Sequence, residues 1–80
     1  MGYHLRPIPK GVLGQTSKIQ EELDELVDAE AQGNKILAMC ELADLYGALE
    51  VLAVRYGLTM DDLKSMADAT ARAFQDGSRK

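Results

Sequence analysis

From Ile36 to Tyr56 the chain reads ILAMCELADLYGALEVLAVRY. Wound as a helix, this stretch carries apolar side chains on nearly every side. A helix of that kind is a buried helix. The whole chain has only 80 residues, enough for one domain at most. A domain so small covers its own apolar surface poorly. Cys40 is the single cysteine, so no intrachain disulfide can compensate, and its apolar neighbours suit a small core residue. The expected fold is therefore all-α: a short bundle of three main helices, completed by oligomerisation as a homodimer or homotetramer.

The other elements follow from local signals. RPIPKGVLG, Arg6 to Gly14, holds both prolines and two glycines and reads as an extended lead-in over residues 1–15. A first helix is expected from a cap at Thr16 or Ser17, with Ile19, Leu23, Leu26 and Val27 as its apolar stripe. QGN, Gln32 to Asn34, ends it, with Gly33 in the left-handed C′ conformation and Asn34 capping the next helix. The second helix runs from about Lys35 to Tyr56 and stops at Gly57. A third opens on Thr59 and Asp62 as a capping-box pair, with Met60, Leu63, Met66, Ala67, Thr70 and Phe74 as its inward stripe. The helical domain thus spans 16–76, and 77–80 is a basic tail.

Charge is uneven along the chain. Residues 1–15 carry a net +2, residues 16–50 a net −7 and residues 51–80 a net +1. An acidic centre of this kind is the opposite of the basic patch that binds a nucleic acid polymer. Membrane binding is also unsupported. Glu41, Asp44 and Glu50 would each cost several kcal/mol inside a bilayer, and the N-terminus lacks a signal-peptide core, which gives a cytoplasmic expectation.

At 100° per residue, Glu41 and Asp44 share one face of the second helix with Ala48 between them, and Glu50 points elsewhere. On the first helix Glu22 and Glu25 flank the apolar stripe, Lys18 lies between them in angle, and Glu21 sits further round. Asp24 and Asp28 point away and read as solvated. Carboxylates facing one another across two helices need a counter-charge, because two charges 4 Å apart repel by about 4 kcal/mol at an effective dielectric near 20. The basic residues at hand are Lys18, Lys35 and a more distant Arg55. An all-oxygen set favours a hard divalent ion, Mg²⁺ or Mn²⁺. EELDE alone also suits a solvated helix face, and Glu41 and Asp44 also suit ion pairs with basic residues of a partner.

EELDE, Glu21 to Glu25, is an EExxE motif, and ELAD, Glu41 to Asp44, is an ExxD motif. The two, at this spacing and within KIQEELDELVDAEAQGNKILAMCELADLYGALE, resemble the MazG-like family of all-α nucleoside triphosphate pyrophosphohydrolases, in particular its short members often encoded by bacteriophages. The resemblance runs from about Pro9 to the tail. It implies Mg²⁺-dependent hydrolysis of an NTP or dNTP to the monophosphate and pyrophosphate, trimming a nucleotide pool. It implies Glu22, Glu25, Glu41 and Asp44 as metal ligands. Glu21, with Glu22, would serve the chemistry by holding a further ion or by orienting and deprotonating the attacking water. Lys10, Lys18, Arg72, Arg79 and Lys80 are phosphate-binding candidates, although Lys18 equally suits an ion pair with Glu22. Asn34 suits a cap better than a base reader, and His4 stands alone in an irregular segment. The competing expectation is a non-catalytic helical interaction module, or a nucleotide binder without turnover.

Overall fold

A computed structural model describes residues 4–75. Among them are three helices and no strand: α1 (Thr16–Ala31), α2 (Lys35–Arg55) and α3 (Met60–Gln75). The all-α expectation holds, and the end of α1, both ends of α2 and the start of α3 fall where the end signals placed them. Two ends share one chemistry. After α1, Gly33 takes φ +66°, Gly33 N–H donates to Glu30 O at 2.9 Å and Asn34 N–H to Ala29 O at 3.1 Å. After α2, Gly57 takes φ +71°, Gly57 N–H donates to Val54 O and Leu58 N–H to Ala53 O. Both are Schellman closures, which satisfy carbonyls that the helix leaves unpaired. Asn34 Oδ1 caps α2 by accepting from Leu37 N–H at 3.0 Å. Thr59 and Asp62 exchange reciprocal bonds at the start of α3.

The start of α1 differs from expectation. Its N-cap is Gln15, without a side-chain bond. The lead-in reverses just before it in a turn closed by Gln15 N–H to Val12 O, with Gly14 at φ +90°, the pattern of a type II turn. Ser17 Oγ then accepts from Val12 N–H, so this hydroxyl anchors the lead-in instead of capping the helix. Arg55 extends from the end of α2 to the Gly14 carbonyl at 2.7 Å. It ties the lead-in to α2 and does not serve as a counter-charge for Glu41 and Asp44.

The three-residue link makes α1 and α2 a helical hairpin, and these two helices form the main packing between elements. The chain is elongated, 42 × 28 × 19 Å. The buried apolar residues among those described are all alanines: Ala29, Ala48 and Ala53. Small residues let two helix backbones approach closely, so the seam is narrow. The larger apolar side chains point elsewhere. Leu23 and Val27 of the expected α1 stripe are exposed, as are Ile36, Met39, Leu42, Tyr46 and Val54 of α2. Cys40, expected as a core residue, is exposed among them. On α3, Met66 and Ala67 are exposed while Met60, Leu63 and Thr70 are half-buried, so among the described residues the stripe expected to face inward is only partly covered. The side chain of Phe74 lies outside the described residues. None of the described helices is long and apolar enough to cross a membrane.

Candidate active site

What the α1–α2 seam does bury is carboxylate. Glu21, Glu22, Asp28 and Glu41 are each 5 % exposed or less. One carboxylate oxygen from each of Glu22, Glu25, Glu41 and Asp44 lies within 4.8 Å of the others. The seam alanines explain how: Ala48 sits one turn from Asp44 and two turns from Glu41 on the same face, and its small side chain lets EELDE and ELAD come face to face. Asp44 is the exposed member and opens the cluster onto a cavity of about 650 Å³, which Glu21, Glu22, Glu25 and Lys18 also line. Glu50, expected to point elsewhere, lines that cavity as well.

The proton affinities show the strain of this crowding. Burial, then the charge of Glu25, pushes Glu22 up to about 7. Burial, then the hydrogen bond and charge of Glu25, also raises Glu41, against the pull of His4. Two unit charges 4–5 Å apart repel by about 3–4 kcal/mol at an effective dielectric near 20, and taking up a proton relieves that repulsion. Glu41 Oε1 is buried without a hydrogen-bond partner, a condition native proteins rarely leave unrelieved. The donor set is all oxygen and anionic, and it has one buried lone-pair site unfilled. It fits a hard divalent cation such as Mg²⁺ or Mn²⁺.

Glu21 is a different kind of acid. Burial alone would raise it, but Gly11 N–H at 2.8 Å, Lys18 at 3.2 Å and Lys10 at 3.5 Å hold it below the usual carboxylate value. Glu21 therefore stays ionised next to a cluster that resists ionisation. Lys18 also reaches Glu22 at 3.8 Å, so it pairs with both acids at the edge of the cavity. Lys10 is held by Glu21 although its side chain is 82 % exposed. Arg72 is exposed on α3 and does not line the cavity. Arg79 and Lys80 lie outside the described residues.

Two residues were missed from sequence. Asp28, expected to be solvated, is buried: Oδ2 accepts from His4 Nδ1 at 2.9 Å, Leu5 N–H at 3.2 Å and Gln32 Nε2 at 2.8 Å. His4, set aside as isolated, places Nε2 2.8 Å from Glu41 Oε2. These contacts join residues 24 and 37 positions apart, so no local pattern announces them.

The lead-in depends on Gly11. A Cβ there would overlap the backbone of Ser17 and Lys18, so any larger residue must lift the lead-in off α1 and take its N–H away from Glu21. Gly11→Ala is expected to cost about 1–3 kcal/mol, the range for losing a hydrogen bond to a buried charged group. A urea titration would read this as a lower midpoint. An unchanged midpoint would show that this contact contributes nothing.

Residues 8–73 match the model of a family described as phosphoribosyl-ATP pyrophosphohydrolase. Neither the curated proteins nor the solved structures contain a match. The matched segment holds both acidic motifs and the whole α1–α2 hairpin, and it begins four residues after His4.

Proposed function

Since the chain belongs to the phosphoribosyl-ATP pyrophosphohydrolase family, a family of enzymes that hydrolyse nucleotide-like substrates, we propose that it is a Mg²⁺-dependent pyrophosphohydrolase cutting the α–β phosphoanhydride of an NTP or dNTP. The MazG-like resemblance of EELDE and ELAD points to the same all-α superfamily. The observation that carries the proposal is the convergence of four carboxylates from two helices around an unpartnered, buried Glu41 Oε1.

Glu22, Glu25, Glu41 and Asp44 would hold the divalent ions. Such ions neutralise charge developing on phosphate oxygens and lower the pKa of bound water. Glu21 remains ionised beside them, fixed by Gly11 and Lys18. It is the residue to orient the attacking water by accepting a hydrogen bond from it. Lys18, at the edge of the cavity, faces the charge of the departing phosphates. Asp44 also lines a second cavity of about 400 Å³, with Ile36, Leu37, Cys40 and Asn34. An apolar wall beside the acidic cluster suits a nucleobase. The biological role on this reading is the trimming of a nucleotide pool.

A panel assay tests the substrate class. Purified protein with Mg²⁺ is offered the NTPs, the dNTPs and phosphoribosyl-ATP, the last because the matched family carries its name. Pyrophosphate release from a nucleoside triphosphate is expected. Release from phosphoribosyl-ATP alone would reassign the substrate, and no release from any of them by a folded protein would favour the interaction-module reading.

The site is proposed to work in an oligomer. Met39, Leu42, Tyr46 and Leu49 are all exposed and follow the 3-4-3 spacing of a helix–helix seam. A second copy of this chain presents the same stripe and would cover it. Light scattering at micromolar concentration is expected to give a multiple of the 8.7 kDa chain mass. A mass of one chain would contradict this.

A further inference from the structure

We propose that His4 is a nitrogen ligand to a divalent transition-metal ion, which it holds together with Glu25 and Glu41 at one edge of the carboxylate cluster. This rests on the cation-binding reading of that cluster and adds a residue outside the segment matching the family.

Asp28 fixes the His4 ring. Its Oδ2 already accepts a backbone N–H from Leu5 and an amide N–H from Gln32. An oxygen accepting from those two donors is the acceptor toward His4 as well. That makes His4 Nδ1 the donor at 2.9 Å and turns Nε2 toward the acids. The arrangement matches the carboxylate–histidine support found behind metal-binding imidazoles, where a carboxylate fixes the ring and its tautomer.

Nε2 lies 2.8 Å from Glu41 Oε2 and 4.0 Å from Glu25 Oε2. A six-coordinate ion with bonds of about 2.1 Å holds neighbouring ligand atoms about 3 Å apart and opposite ones about 4 Å apart. The separations of 2.8 and 4.0 Å are of those two kinds. A hydrogen bond between Nε2 and Oε2 at 2.8 Å requires one proton. A cation entering there displaces that proton to solvent, as metal binding to protonated ligands requires. The Glu41 side chain is 6 % exposed and its other oxygen, Oε1, has no partner, so the same carboxylate can bridge this position and the all-oxygen one. A nitrogen donor shifts preference from Mg²⁺ toward Mn²⁺ and later transition ions.

The test uses the full chain without a histidine tag, in which His4 is the sole histidine. Mn²⁺ is added and electron spin-echo spectroscopy reads the nuclei around it. An imidazole ¹⁴N coupling is expected in the wild type. It should vanish in His4→Ala and His4→Gln while Mn²⁺ still binds. Asp28→Asn acts through His4, so it should weaken Mn²⁺ binding by about 10-fold and by no more than His4→Ala does. Mn²⁺ bound by the wild type without ¹⁴N coupling would overturn the role of His4 and leave the carboxylate cradle standing. Absence of Mn²⁺ binding would overturn both.

Discussion

Glu41→Gln is expected to reduce hydrolysis by about 100- to 1000-fold, the scale on which a preorganised electrostatic contact stabilises a transition state, without weakening the metal-free fold. The two halves of this expectation have one cause. In the metal-free chain Glu41 is buried beside Glu25, and its ionised form is disfavoured. Glutamine keeps the shape and can still accept from His4, while the repulsion disappears. The cost comes when a cation is added, because an amide oxygen lacks the charge that a divalent ion requires. Thermal melts in chelator and in Mg²⁺ separate the two. The wild type should gain stability on adding Mg²⁺, and the variant should start at least as stable and gain little. A variant that is less stable in chelator and fully active in Mg²⁺ would mean that Glu41 is a structural residue.

The second large effect is a fall in metal-free stability as pH rises through neutrality. Glu22 moves from an ordinary value of 4.5 to about 7 on folding. A carboxyl raised by folding favours the folded state most when protonated, so its contribution is complete below about 4.5 and is lost as pH rises through 7. One pKa unit corresponds to about 1.4 kcal/mol, so the loss amounts to up to about 3 kcal/mol. Glu41 is raised as well and acts in the same direction. His4 is also raised, by its bonds to Asp28 and Glu41 against the effect of burial. Its contribution is present below 6.5 and is lost as pH climbs through its folded value. Glu21 and Asp28 are lowered and act at the other end, where stability is lost as pH falls below the carboxylate range. Urea titrations in chelator should therefore show a maximum on the acid side of neutrality and a decline toward pH 8. Mg²⁺ should flatten that decline by taking the place of the protons. Metal-free stability that rises from pH 5 to pH 8 would contradict the electrostatic account of the cluster.

The sequence was most legible where structure is local. Gly33 and Gly57 mark helix ends because a left-handed residue closes each one, and Asn34, Thr59 and Asp62 cap through bonds that span three residues. The meeting of EELDE with ELAD was legible too, since helical phase and a short link are enough to bring two faces together. The direction of the apolar stripes was not. Helical phase identifies an apolar face but not what covers it, and in α1 the face turned toward α2 is the one with Glu22 and Ala29, while Leu23 and Val27 look outward. His4 and Asp28 were illegible for a related reason. Their partnership depends on where an irregular lead-in crosses the hairpin, and the turn at Val12 to Gln15 and the approach of Gly11 to Ser17 set that crossing. Lys10, a phosphate-binding candidate by its charge, also pairs with Glu21 at 3.5 Å and helps to keep that acid ionised, a contact between the irregular lead-in and α1 that no local pattern announces.

The acids on the α1–α2 seam would hold divalent cations and so support cleavage of a nucleotide between its α and β phosphates. Phosphorus NMR of one sample tests this directly, with a nucleoside triphosphate present first in chelator and then in excess Mg²⁺. No change is expected in chelator, followed on adding Mg²⁺ by the paired appearance of pyrophosphate and nucleoside monophosphate. Turnover that persists in chelator, or that yields orthophosphate and the diphosphate instead, would contradict the account.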